Sequence, residues 1–268
     1  MALKDITLGQ YFPGNTFVHR LDPRVKLLFV VFYIVALFLA NRLIGYAVLI
    51  SVLVLFVAVS KIKPKALFKG MKPVIFLIVI TGLLNLFYTS GEILWQWGFL
   101  KITVEGIWAA IFMILRIVML ICCTFLLTYT TSPIMLTDGL ENLLSPLKKI
   151  KVPVHELSMM MSIALRFIPT LIEETDKIMS AQRARGADFD TGNLFQKAKA
   201  LVPLLVPLFV SSFRRADELA VAMECRCYHG GDGRTRLKEL HYTGQDICVL
   251  VFSLLMCVGI GVLRRFGI

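Results

Sequence analysis

Two arginines carry the clearest chemical signal in this chain. Arg185 lies in Ala184-Arg185-Gly186, and Arg226 lies in Cys225-Arg226-Cys227. Each follows a long stretch of helical apolar spacing, inside the one large polar block of an otherwise greasy sequence. A guanidinium is planar, always charged and forked, and suits carboxylates on a partner. By charge alone, acidic lipid or phosphate is also a fit. The small neighbours Ala184 and Gly186 let a second backbone come close. A cation near a helix C-terminus also satisfies the helix dipole, so capping explains either arginine taken singly. Two tips of similar plan point instead to a grip on something outside the chain.

Other residues offer weaker chemistry. Arg116 falls near the middle of an apolar run, where a charge is costly and faces a bundle interior or polar cavity. It reads as a transport path, or as a pin bonded to Asn85, Thr124 or backbone carbonyls. Met159, Met160, Met161, Met179 and Met223 suit either core filling or a surface that repacks against partners. Cys225, Cys227, His229 and His155 match no common zinc spacing, so no metal is expected. The chain lacks GxxxxGK[ST], GxSxG and HExxH, so no catalytic residue and no nucleotide hydrolysis of its own are expected. Glu173-Glu174 and Asp217-Glu218 read as solvated helix faces.

The elements that hold these residues are set by composition. The apolar fraction is 57%, against about 45–50% in ordinary soluble proteins. Mean hydropathy is +0.75. Apolar runs at 27–40, 43–60, 73–87, 104–129 and 247–263 predict about five spans, given that a spanning helix needs about 17–25 residues. The first is short and forms a hairpin with the second across Asn41-Arg42. Lys61, Lys63, Lys65, Lys69 and Lys72 read as a basic loop. Residues 88–101 read as a second loop, with Trp95 and Trp97 as interfacial anchors. The formal charge is +11. Between Ser132 and Leu240, 15 Lys/Arg nearly balance 13 Asp/Glu, and the other 14 basic residues face only 5 acidic ones. The excess therefore flanks apolar runs, as lipid headgroups require, and no nucleic-acid partner is expected. Placing the lysines in the cytoplasm puts the N-terminus and the polar block there too. Arg264-Arg265 then falls on the wrong side. Four of the six cysteines sit in apolar runs, and no disulfide framework is expected. The first apolar run begins after Lys26, so no cleavable signal peptide is expected.

The division predicted is 1–131 for the N-terminal segment and four spans, 132–240 for a cytoplasmic helical region, and 241–268 for the last span. Within the middle part, a short helix runs from Pro133 to about Lys149. Leu157, Met161, Ala164, Ile168, Leu171, Thr175, Ile178 and Gln182 mark one face of a helix from Val154 to Arg185, which Gly186 stops. A second helix runs from Leu194 to Tyr228 through Leu205, Phe209, Phe213, Ala216, Ala220 and Met223, and the Gly230-Gly231-Asp232-Gly233 turn ends it. Pro169, Pro203 and Pro207 are expected to kink these helices without abolishing them. The fold class is an all-α integral membrane protein of about five spans with long amphipathic cytoplasmic helices.

Gln182-Arg183-Ala184-Arg185-Gly186-Ala187-Asp188 resembles the first arginine motif of the T subunit of energy-coupling factor (ECF) transporters. Tyr11-Phe12-Pro13-Gly14-Asn15 and His19-Arg20-Leu21-Asp22-Pro23-Arg24 resemble that family's N-terminal signature. Ala164-Leu165-Arg166-Phe167-Ile168-Pro169-Thr170 resembles its helix core, and Ala222-Met223-Glu224 precedes its second motif. The resemblance covers nearly the whole chain, and the N-terminal segment is most similar to the shared, vitamin-uptake branch.

The resemblance implies a multi-pass scaffold in a prokaryotic plasma membrane. Its coupling helices would rest on two ABC ATPase subunits, a heterodimer in this branch. Arg185 and Arg226, with flanks Ala184, Gly186, Cys225 and Cys227, would dock into ATPase grooves lined by acidic residues. A membrane S component would bind the vitamin and topple to release it as the ATPases close. ATP would be used by the partners, and this chain would bind no cofactor and act as no enzyme. The second motif usually reads small residue, arginine, glycine. Here cysteines flank Arg226, and Cys227 is a poorer left-handed stop than glycine. Two readings from other classes stand beside this one. One is a self-contained secondary transporter using Arg116. The other is a membrane enzyme acting on lipid headgroups, which would need a clustered acid, base or metal site.

Overall fold

A computed structural model describes residues 11–97, 100–187, 189, 193–231 and 240–266. The described residues are helical apart from one β-hairpin and the connecting turns. It divides into two compact units, Gly9–Gly139 with Leu240–Ile268, and Leu140–Glu239.

The first unit is a helix bundle. Its elements are α1 (Phe17–Arg20), α2 (Pro23–Leu39), α3 (Leu43–Ser60), α4 (Pro64–Met71), α5 (Ile75–Tyr88), β1 (Ile93–Trp97), β2 (Leu100–Thr103), α6 (Val104–Thr130) and α10 (Gly244–Phe266). Within it, α2 packs on α3, α6 and α10, and α5 packs on α6. Phe29, Tyr33, Ala36 and Leu37 of α2 meet Leu49 of α3, Met119 and Cys123 of α6, and Met256 and Ile260 of α10 in one buried core. Many side chains elsewhere on these helices, such as Phe76, Leu77 and Leu255, are exposed and apolar, as lipid-facing residues must be. The chain is therefore an all-α protein embedded in a membrane.

Among the described residues, four segments are long and apolar enough to cross: Leu43–Ser60, Pro64–Tyr88, Val104–Thr130 and Gly244–Arg265. The expected fifth is α2, whose 17 residues sit at the short end of the spanning range of about 17–25. Two expectations need correction. The basic stretch is not simply a loop, because Pro64–Met71 is helical. Pro64 stands at the helix start, where its missing N–H costs nothing, and Leu67 and Met71 are buried. The stretch read as a loop between α5 and α6 contains the antiparallel pair β1–β2. Glu105 accepts the Glu92 amide at 2.8 Å, and Thr103 caps α6 at the Gly106 amide. The side chains of Trp95 and Trp97, read as anchors, lie outside the described ones.

In the second unit, α8 (Val154–Ala184) and α9 (Leu194–Glu224) pack together. The division of the chain falls within α7 (Pro133–Leu144), which continues as a 3-10 turn at Ser145–Ile150. The α8 and α9 helices run on through Pro169, Pro203 and Pro207. Pro207 cannot donate to the Pro203 carbonyl four residues back. The Gln182 amide reaches that carbonyl instead, at 3.5 Å.

Candidate functional site

The two arginines end α8 and α9 in the same turn. The Gly186 amide donates to the Arg183 carbonyl at 2.9 Å, and the Ala187 amide to the Gln182 carbonyl at 3.0 Å. In α9 the Cys227 amide donates to the Glu224 carbonyl at 2.8 Å, and the Tyr228 amide to the Met223 carbonyl at 3.0 Å. Both are Schellman motifs, in which a residue of positive φ reverses the chain and satisfies the last carbonyls. That residue is Gly186, at φ 88°, in one turn and Cys227, at φ 55°, in the other. Arg185 and Arg226 are therefore equivalent residues, each just before the left-handed one.

Both arginines are exposed, as are Ala184, Gly186, Cys225 and Cys227. Among the described residues, no carboxylate bonds to either guanidinium. The second helix stops earlier than expected. Cys227, rather than the glycine turn, terminates it. Gly230 and Gly231 follow outside the helix, and Asp232 and Gly233 lie outside the described residues, as does Asp188 of the first motif.

The tips are carried by a pinned helix pair. Glu174 of α8 accepts Arg215 Nη2 of α9 at 3.1 Å and also accepts the Ser211 hydroxyl. Arg215 lies 5.6 Å from the centre of the Phe167 ring. Glu174 is thus a half-buried structural anchor and not the solvated carboxylate expected. No periodicity reveals this, because the partners are 41 residues apart.

A family profile described as "Cobalt transport protein" (CbiQ) matches residues 14–237. The energy-coupling factor transporter transmembrane protein EcfT of Clostridium kluyveri is 58% identical over 264 residues, covering 96% of this chain and 97% of that one. The chain belongs to the EcfT family. Its Bacillus subtilis relative of the same name is 50% identical over 263 residues, covering 98% and 99% of the two chains. The Lactococcus lactis relative is 46% identical over 257 residues, covering 96% and 97%. The resemblance carried by the arginine and N-terminal motifs thus extends over the full length, and the chain is a transmembrane component of ECF transporters.

The remaining candidates of this EcfT-family chain are placed as follows. Arg116 donates to the Tyr46 hydroxyl at 2.8 and 3.1 Å and to the Ala40 carbonyl at 3.4 Å. Its side-chain partner is therefore Tyr46, not Asn85 or Thr124. Met160 and Met161 are exposed and do not fill a core. His155 bonds Glu141 through Nδ1 at 3.0 Å. Cys225 and Cys227 are free, exposed thiols. Among the described residues, no three His, Cys, Asp or Glu side chains cluster as metal ligands would.

The N-terminal signature proves to be a clamp. Asp22 caps α2 at the Arg24 amide and holds the Arg24 guanidinium through both oxygens, at 2.8–3.2 Å. Arg24 also donates to the Leu240 carbonyl at 2.8 Å and lies over the Tyr242 ring at 3.9 Å. Lys26 is buried and donates to the carbonyls of His19 and Thr130 and to the Thr131 hydroxyl. Burial lowers the His19 pKa from its ordinary value, and the nearby Lys26 charge adds to that shift.

Proposed function

We propose that this chain is the mechanical coupling subunit of its transporter. Arg185 and Arg226 dock two ABC ATPase subunits, and α8 and α9 transmit their ATP-driven motion to a vitamin-binding S component. The observation that carries this reading is the equivalence of the two arginines. Both sit at one position of one turn, exposed and with no carboxylate partner among the described residues. A cap needed only by its own helix has no reason to be built twice and left open. Carboxylates in grooves on the ATPases would complete the charge pairs. Two docking points on one pinned helix pair raise avidity through effective concentration. They also turn a change in ATPase spacing into movement of the pair.

This reading places α8, α9 and the N-terminus on the cytoplasmic side, with the α3–α4 lysines. It assigns ATP to the partners and no reaction to this chain. Arg116 supports a scaffold more than a transport path, since its guanidinium is engaged by Tyr46 and the Ala40 carbonyl.

The test is co-purification with the ATPases, together with vitamin uptake in vesicles. Truncating one member of a buried interfacial charge pair costs about 2–5 kcal/mol. Arg185→Ala and Arg226→Ala should each lower ATPase recovery and uptake, and the double variant should lose both. Unchanged recovery and uptake in the two single variants would reject the docking role. Gradient-driven uptake by the purified chain alone would replace it with a secondary transporter.

A further inference from the structure

The N-terminal signature and the lysines after α3 meet at an open cleft that the coupling role does not use. Phe12, Thr16 and His19 form one wall, and Lys61 and Lys63 form the other. The first wall is rigidly built. The Phe12 amide donates to the Tyr129 carbonyl at 3.0 Å, and its ring meets the Tyr129 ring edge-on at 5.2 Å. His19 bonds the Phe12 carbonyl at 3.1 Å through Nε2 and Thr16 Oγ1 at 2.6 Å through Nδ1. Gly14 leaves the room this needs, because a Cβ there would lie 3.0 Å from the His19 ring.

The second wall is cationic. Lys61 takes a left-handed conformation at φ 55°, which ends α3 and turns the chain. Lys63 precedes α4. Both lysines are exposed, and neither is bonded to an acidic side chain among the described residues. The cleft opens where an apolar 18-residue span stops, which is the depth of lipid headgroups. Buried Ile62 and half-buried Ala66 give it an apolar side. Lys65, Lys69 and Lys72 follow closely and add to the local field. An anion with an apolar attachment fits such a place, and ammonium groups are point charges suited to phosphate.

We infer that this cleft binds the phosphate of an anionic phospholipid headgroup between Lys61 and Lys63. The N-terminal signature then has a second duty beside its clamp, which is to wall a lipid site that seats the subunit at the membrane surface. The inference does not depend on how the ATPases dock.

The test uses the delipidated full-length chain in detergent, titrated with phosphatidylglycerol or phosphatidylcholine and read by native mass spectrometry. Phosphatidylglycerol should be retained preferentially. A lysine near a membrane surface contributes about fivefold to anionic-lipid binding. The K61Q/K63Q chain should therefore bind phosphatidylglycerol about 25-fold more weakly. K65Q/K69Q removes the same charge outside the cleft and should lose clearly less. Equal losses in the two variants would mean diffuse attraction and overturn the site. Displacement of the lipid by equimolar inorganic phosphate would also overturn it, in favour of a free-anion site. Thermal unfolding checks that each variant is folded. Should the double variant unfold, Lys63→Glu alone reads the same outcome, with the preference abolished.

Discussion

Gly186 and Cys227 occupy the same position in two helix-ending turns, although only one of them is a glycine. Each has positive φ, and each donates its amide three residues back. A residue with a Cβ pays about 1–2 kcal/mol to adopt this conformation. The turn is therefore kept at Cys227 despite its cost. What the two motifs share is a geometry that puts an arginine just before the reversal, and glycine is only its easiest solution.

The first prediction follows from that cost. Cys227→Gly should raise the stability of the chain by about 1 kcal/mol, and Gly186→Ala should lower it by a similar amount. Nothing lies within 4 Å of a Cβ built at Gly186, so the loss there is due to backbone alone. Denaturant unfolding in detergent measures both. A Cys227→Gly chain no more stable than the parent would mean that the turn relaxes without strain.

The Glu174–Arg215 pair supplies the second. The side chains are 24% and 31% exposed, so solvent screens the pair in part. An exposed pair contributes about 0.2–1 kcal/mol, and the Ser211 bond holds Glu174 separately. In a double-mutant cycle, where the Ser211 bond cancels, Glu174→Gln and Arg215→Gln together should destabilise by about 0.2–1 kcal/mol less than the sum of the singles. Strictly additive losses would show that the two side chains do not act together.

The sequence made legible what depends on local periodicity. The apolar spacing from Leu157 to Gln182 set α8 within one residue of its observed end, and Gly186 marked that end. Partnerships across the fold were hidden. Arg116 and Tyr46 are 70 residues apart, and Asp22 and Asp246 are 224 apart. Periodicity also fails to say what covers an apolar face. Leu205, Phe209 and Phe213 form the expected stripe on α9, yet all three are exposed in the chain. The five lysines from Lys61 to Lys72 masked α4, because that short helix buries only Leu67 and Met71.

The third prediction concerns pH. The fold holds the His19 pKa below its ordinary value, chiefly through burial and also through the Lys26 charge. The unfolded chain therefore takes up a proton at higher pH than the folded one. Stability from the neutral ring is complete above about 6.5, the unfolded value, and is lost as pH falls through the folded value. Melting temperatures of the parent and His19→Gln should be compared from pH 7.5 to 5. The parent should lose more over that range, because only it carries this titration. Parallel profiles would remove His19 as the cause.

The last prediction rests on Asp246, which is 1% exposed and serves three donors. One oxygen accepts the Asp22 amide at 2.8 Å, and the other accepts the Thr243 amide at 2.9 Å and the Thr243 hydroxyl at 2.6 Å. It therefore caps α10 and ties that start to the start of α2 at once. Asp246→Ala would leave these donors unpaired where water enters poorly. An unsatisfied buried polar group costs about 1–3 kcal/mol, and the lost cap adds about 1 kcal/mol. Asp246→Asn keeps one carbonyl oxygen and the shape, so it should lose less than Asp246→Ala. Denaturant unfolding ranks the three chains. If the asparagine and alanine variants fell together, the shape would count for nothing, and the charge alone would hold the two helix starts in register.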